Sequence, residues 1–205
     1  MRIGIFGGSF DPVHWGHLIL AEQCREQAQL DQVWFLPAAH HPFKAQANVA
    51  TFDERVAMLR LAIEGVAGFE ISEIERGLPA PTYTVQVLDA IAALHPKDEW
   101  FFLVGGDALA ELPTWHEPAQ IAARATLVAM ARPGHPIPDA ATFRQKLRLK
   151  SADPFSLQVV DVPLIDLSSR DIRRRIGDGR SIRFMLPWSV ERYIHDRGLY
   201  AAPGR

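Results

Sequence analysis

One cysteine in 205 residues leaves no partner for an internal disulfide and excludes a zinc site built from several thiolates. Long apolar runs are missing as well. None approaches the roughly 18 residues that a membrane span requires, and the amino terminus carries no basic segment followed by an apolar core of signal length. These shortages predict a reducing, cytoplasmic setting with no membrane partner. Charge of one sign is also scarce: 22 Lys and Arg against 24 Asp and Glu give a net charge of −2 and an isoelectric point near 6.4. A chain without a basic surface is not a general binder of nucleic acid polymers, so any phosphate site must be local. No internal repeat, low-complexity block or shift in composition divides the chain. What remains is 48% apolar, enough for an α/β fold that buries its own core, and the expectation is one domain over residues 1–205 with a helical part from about residue 168. A homo-oligomer is compatible with this composition.

The stretch from Arg2 to Leu20 organises the rest. Ile3, Ile5 and Phe6 form a short apolar run that suits a buried parallel strand, and Gly7-Gly8 ends it with residues that tolerate positive φ. Pro12 fixes an extended turn, and Leu18, Ala21 and Ala28 recur at helical spacing, so a helix should open at Trp15 or Gly16. A strand, a glycine loop and a helix start together make an anion site, because first-turn N–H groups are unpaired and carry partial positive charge. His14 and His17 are three apart and can present N–H donors on one side of that turn.

Gly-Gly-Ser-Phe-Asp-Pro-Val-His-Trp-Gly-His resembles the signature of nucleotidyltransferases marked by a His-x-Gly-His motif. The resemblance implies that Gly7, Gly8, Ser9 and Phe10 approach a nucleotide and that His14 and His17 contact its phosphates. Further along, Val33-Trp34-Phe35-Leu36 reads as a second strand, and the aperiodic run from Ala38 to Asn48 as a ligand loop at its carboxyl end. Lys44 matches a basic residue of the family in that loop. Thr51 and Glu54 make a capping box for a helix through Ile63, on which Arg55 reads as a solvated arginine. Phe69-Glu70-Ile71 is a short third strand. A turn-rich lead-in from Arg76 to Thr84 precedes a helix over Val85 to Leu94, with Thr82 or Thr84 able to serve as a plain N-cap. Thr82-Tyr83-Thr84 resembles the family's Gly-Pro-Ser-Tyr-Thr segment, whose helix-start amides receive a pyridine carboxylate.

Trp100 to Val104 is the most apolar strand, followed by Gly105-Gly106-Asp107 at the expected crevice. The resemblance implies that Gly105 and Asp107 meet the nucleotide, with Asp107 on ribose hydroxyls, and that Trp115 stacks on the nicotinate ring. Thr126 to Met130 and Leu157 to Val162 read as two more strands, Ala140 to Leu149 as a helix, and Arg132 to Asp139 as a Pro-rich loop. Ser168-Ser169-Arg170-Asp171-Ile172-Arg173 resembles the family's Ile-Ser-Ser-Thr-x-x-Arg motif for the β and γ phosphates. Arg170 stands where the family has threonine, and its spacing from Arg173 allows two guanidiniums on one face. A last helix runs from Trp188 to His195.

The resemblance covers nearly the whole chain and is to the bacterial-type nicotinate-nucleotide adenylyltransferases. It implies a doubly wound parallel sheet, Rossmann-like, and adenylyl transfer from ATP to nicotinate mononucleotide. Mg²⁺ would be carried on ATP and no metal would be held by the protein. His14, His17, Lys44 and Arg173 would be the catalytic groups. ATP would meet Gly7, Gly8, Ser9, Phe10, His17, Gly105, Asp107, Ser168, Ser169, Arg170 and Arg173, and the acceptor Ser9, Lys44, Thr82, Tyr83, Thr84 and Trp115. Two alternatives share the first motif: a pantetheine-phosphate adenylyltransferase, and a nucleotide-binding module without turnover.

Overall fold

Each of the six apolar runs forms a strand, and the strands lie parallel in one sheet. The computed structural model describes residues 1–39, 49–130 and 137–202, and within them the strands are β1 (Arg2–Gly8), β2 (Gln32–Pro37), β3 (Phe69–Ile71), β4 (Glu99–Gly105), β5 (Thr126–Met130) and β6 (Leu157–Val160). Their spatial order is β3-β2-β1-β4-β5-β6, with every neighbouring pair parallel. This is a doubly wound sheet whose order reverses between β1 and β4. The crevice therefore opens beyond the carboxyl ends of those two strands, at Gly8 and Gly105.

The helices are α1 (Trp15–Gln27), α2 (Phe52–Ile63), α3 (Thr84–Leu94), α4 (Gly106–Glu111), α5 (Pro118–Arg124), α6 (Ala140–Lys146), α7 (Ser169–Gly177) and α8 (Trp188–Arg197). Alternation along the strands divides the core into two layers. Ile3, Ile5, Trp100, Phe102, Leu127 and Ala129 face the layer completed by Leu88 and Ile91 of α3, Ile121 of α5 and Phe143 of α6. Phe6, Phe101, Leu103, Val128 and Met130 face the other, filled by Leu18 of α1, Leu59 of α2, Ile172 of α7 and Val190 of α8. Cys24 lies fully buried in this second layer, and burial pushes its thiol up to about 12, so it is a packing residue and not a nucleophile. Among the described residues no helix is long and apolar enough to cross a membrane.

Several boundaries differ from the sequence reading for local reasons. The helix expected over 140–149 stops at Lys146, because Leu147 caps it and Arg148 turns to φ 56°. Strand β6 ends at Val160 rather than Val162. The final helix runs two residues further, to Arg197, where Gly198 at φ 61° provides a left-handed stop. Helices α4 and α5 are absent from the sequence reading; both are short, and Pro118 opens the second. At the end of β1, the residue that turns to positive φ is Phe10, at 46°, while Gly7 and Gly8 remain in the strand.

Candidate active site

Helix α1 starts at the crevice, and its first turn is built by the two histidines. His14 occupies the N-cap position in an extended conformation, and its backbone N–H donates to Nδ1 of His17 at 3.2 Å. The rings stack with centroids 3.7 Å apart. That bond decides a chemical point: with Nδ1 of His17 accepting, the proton of its neutral imidazole sits on Nε2, which makes Nε2 a donor. Gly16 is what lets the rings fold back over the turn, since a Cβ there would come within 3.0 Å of the His14 ring. The spacing of the motif thus follows from packing as well as from chemistry.

The loop before α1 is tied down by side chains from distant elements. Asp11, 2% exposed, accepts from the Tyr200 hydroxyl at 2.6 Å and from the Ala50 N–H at 3.1 Å, both on Oδ1. Arg173 of α7 places Nη1 3.5 Å from Oδ2 of Asp11 and donates to the Asp11 carbonyl at 2.5 Å. The Ser169 hydroxyl, on the first residue of α7, donates to the Pro12 carbonyl at 2.8 Å. Arg55 of α2 donates to the carbonyls of Ser9 and Ala38, each at 2.8 Å, from a site where its side chain is almost wholly buried. Burial is the largest influence on its guanidinium and lowers its pKa, against the opposing pull of Asp11, Tyr200 and Glu75.

On the other side of Gly7 and Gly8 lies a cavity of about 230 Å³, lined also by Ala38, Glu75, Thr82, Thr84, Phe102 and Trp115. Helix α3 begins at its wall. Tyr83 occupies the N-cap position and its N–H donates to Oε1 of Gln86 at 3.0 Å, while the Thr82 hydroxyl donates to the Pro79 carbonyl at 3.3 Å. Neither threonine side chain caps the helix, contrary to the plain capping role that the sequence allows. Thr84 begins the first turn, whose N–H groups have no carbonyl four residues back within the helix. Trp115 packs edge-on against Phe102 at 6.2 Å between centroids and leaves part of its ring exposed to the cavity. An apolar slot with an aromatic wall and a helix start suits a flat ring bearing an anionic group.

Residues 5–175 match the cytidylyltransferase-like family model. A relative from Thermomicrobium roseum named "Probable nicotinate-nucleotide adenylyltransferase" is 44% identical over 97% of this chain and 91% of its own length. One of the same name from Thermus thermophilus is 42% identical over 98% of this chain and all of its own. The chain belongs to the nicotinate-nucleotide adenylyltransferase family. Among solved structures, Plasmodium falciparum nicotinic acid mononucleotide adenylyltransferase complexed with APC superposes with a TM-score of 0.78 at 18% identity, covering 97% of this chain and 96% of that one. At that identity the superposition speaks for the fold, which is the doubly wound sheet expected from the sequence.

Within this family member the structure gathers several of the expected site residues into two groups. Gly7, Gly8, Thr82, Thr84 and Trp115 line the cavity, with Tyr83 at the helix start beside them. His14 and His17 head α1, while Ser169 and Arg173 of α7 reach the loop that precedes it. Ser168 is the N-cap of α7, its hydroxyl accepting from the Asp171 N–H at 3.1 Å. Gly105 and Asp107 bracket the start of α4 at the end of β4, on the crevice. Phe10 takes a different part from the one its motif position implies: its side chain is 1% exposed and packs edge-on against Phe6, Phe35 and His17, so only its backbone is available to a nucleotide. Arg170 is exposed beside Asp166, Ser168, Asp171 and Arg174, whereas Arg173 turns inward to Asp11. The shared face that their spacing allows is not formed. Lys44 lies outside the described residues.

Sequence reasoning misses Arg55, Asp11, Glu75 and Tyr200. Arg55 reads as solvated, but Arg55, Leu59 and Ile63 stand four apart and all are buried, a period that is available to read. Glu75 accepts from the Ala39 N–H at 3.1 Å and lines the cavity; nothing in its local pattern marks that role. Among the described residues no group of three or more His, Cys, Asp or Glu side chains is arranged to hold a metal ion. The histidine, arginine and N–H donors that meet here fit phosphate oxygens rather than a cation.

Proposed function

We propose that the chain transfers the adenylyl group of ATP to the 5′-phosphate of nicotinate mononucleotide, giving deamido-NAD and pyrophosphate, in a cytoplasmic setting. A phosphate oxygen of the acceptor forms a bond to the α-phosphorus as the bond from that phosphorus to the α,β-bridging oxygen breaks, and pyrophosphate leaves. No protein nucleophile takes part. The protein's work is to align the two substrates and to stabilise charge gathering on the α-phosphate and the leaving group. Nε2–H of His17 and the first turn of α1 are the donors proposed for the α-phosphate, with His14 beside them. Arg173 and the start of α7 are proposed for the pyrophosphate. Gly105 and Asp107 are proposed for the ribose, and Lys44, by resemblance alone, for the acceptor's phosphate. Mg²⁺ is proposed as part of the MgATP substrate.

The observation that carries this reading is the cavity at the start of α3, one side of which is formed by the same Gly7 and Gly8 that lead into the histidine turn. In this reading the cavity takes the pyridine ring and the histidine turn takes the phosphates. The experiment is pyrophosphate release from ATP with nicotinate mononucleotide, nicotinamide mononucleotide and 4′-phosphopantetheine offered in turn. Release only with the pantetheine acceptor, or with none, would reject the proposal.

Specificity follows from the same helix start. A carboxylate accepts from first-turn N–H groups, whereas a carboxamide must present its oxygen to them and find acceptors for its NH₂. The expected result is a kcat/KM at least about tenfold higher for nicotinate than for nicotinamide mononucleotide, read by initial rates at saturating ATP. Equal values would show that the carboxylate is not recognised there.

Arg170 is left out of the phosphate site, since its side chain is exposed beside Asp166 and Asp171. Arg170→Ala is expected to leave KM for ATP within about twofold at low and high salt. A selective rise in KM for ATP would return it to the site.

A further inference from the structure

The hydroxyl of Tyr200 reaches the nucleotide loop from the far end of the described chain. Helix α8 ends at Arg197 and is capped by Gly198, and Tyr200 at φ 62° then turns its ring inward to 3% exposure. Left-handed backbone is uncommon for a residue with a Cβ, and here it directs the phenol at Oδ1 of Asp11, 2.6 Å away. The Ala50 N–H meets the same oxygen. With Oδ1 held by two donors, Oδ2 is turned toward Nη1 of Arg173, and that nitrogen also donates to the Asp11 carbonyl. Asp11 thus meets the Arg173 guanidinium twice, both times through Nη1. Burial and the adjacent carboxylate both raise the pKa of Tyr200, so it remains a neutral donor.

We propose that Tyr200 is a positioning residue for the phosphate site, acting through the Asp11 carboxylate to set the direction of Arg173. The inference rests on the adenylyl-transfer reading for the role of Arg173. Its basis is geometric: a carboxylate fixed at one oxygen has one orientation to offer the guanidinium. A carboxylate that loses the phenol is held at Oδ1 by a single N–H and is free to rotate toward the cation. Arg173 would then be drawn from the phosphates toward Asp11. Tyr200 touches no reacting atom, so its effect must pass through Arg173.

A double-mutant cycle tests this. Pyrophosphate-release kinetics with ATP varied, and calorimetric binding of a non-hydrolysable ATP analogue, are measured for the wild type, Tyr200→Phe, Arg173→Ala and the double variant. Tyr200→Phe is expected to lower kcat/KM for ATP about tenfold with KM for nicotinate mononucleotide unchanged, and to add nothing in the Arg173→Ala background. Ile194→Val, a buried change in α8, serves as a stability control: it should lower the melting temperature and leave the kinetics alone. Asp11→Asn, which keeps the shape of the carboxylate and weakens its pull, must show the same non-additivity, and it decides the matter should Tyr200→Phe fold poorly. Independent, additive losses from Tyr200→Phe and Arg173→Ala would overturn the inference, as would losses matched by Ile194→Val. If the wild type releases no pyrophosphate, the adenylyl-transfer reading fails by itself. The cycle in analogue affinity then still decides whether Tyr200 acts through Arg173.

Discussion

Replacing His17 by alanine is expected to lower kcat by about two to three orders of magnitude while leaving the fold intact, the size of loss typical when one donor to a developing oxyanion is removed, roughly 2.7 to 4 kcal/mol. The hydrogen bond from the His14 N–H to Nδ1 of His17 places the neutral ring's proton on Nε2. A fixed donor needs no reorganisation as charge builds on the α-phosphate, and that is where its contribution exceeds that of water. His17→Ala also removes the ring stacked on His14 and leaves the His14 N–H to find another acceptor, so a modest drop in melting temperature is expected beside the kinetic loss. His17→Asn separates the two effects. Its side-chain oxygen can accept from the His14 N–H, but its amide lies short of where Nε2 reached, so stability should return while turnover stays low. Turnover near that of the wild type in a folded His17→Ala protein would remove this histidine from the chemistry.

The four inner strands of the sheet are legible because they are buried on both faces. A parallel strand under two helical layers must be apolar throughout, and Trp100 to Val104 or Thr126 to Met130 can be read without knowing their neighbours. The order of the strands and the crevice at the β1–β4 switch come with the resemblance rather than from periodicity. Local chain geometry is legible too: His14, Gly16 and His17 share one turn, and Ser168 caps the helix that carries Arg173. The connections that hold the site together are not. Asp11 meets Tyr200 across 189 positions, Arg173 across 162 and Ala50 across 39, and no local pattern encodes such a meeting. Phe10 misleads for the opposite reason, since its motif neighbours read as nucleotide ligands while its own ring fills the space over Gly8, where a Cβ would come within 3.0 Å of it.

Arg55→Ala is expected to lower stability by about 2 to 4 kcal/mol, because it leaves the carbonyls of Ser9 and Ala38 without the donors that bridge them. Those carbonyls stand just beyond the ends of β1 and β2, and one planar guanidinium joins them through Nη1 and Nη2. Lysine cannot reproduce two bonds in that geometry, so Arg55→Lys should recover only part of the loss. Desolvating the charge has its own cost, which is why the pKa of Arg55 is lowered despite Asp11 nearby. That cost disappears with the side chain, and for this reason the expected effect is smaller than the bare strength of two charged hydrogen bonds. For a chain of this length the change corresponds to a fall in melting temperature of roughly 5 to 15 °C, measurable by calorimetry. The functional consequence is separate and is read at a temperature where both proteins are folded. With Ser9 and Ala38 no longer held together, the acceptor cavity should widen, so KM for nicotinate mononucleotide should rise more than KM for ATP. A melting temperature within a degree or two of the wild type would show that water replaces the guanidinium at no cost. The two carbonyls would then need another explanation for their spacing.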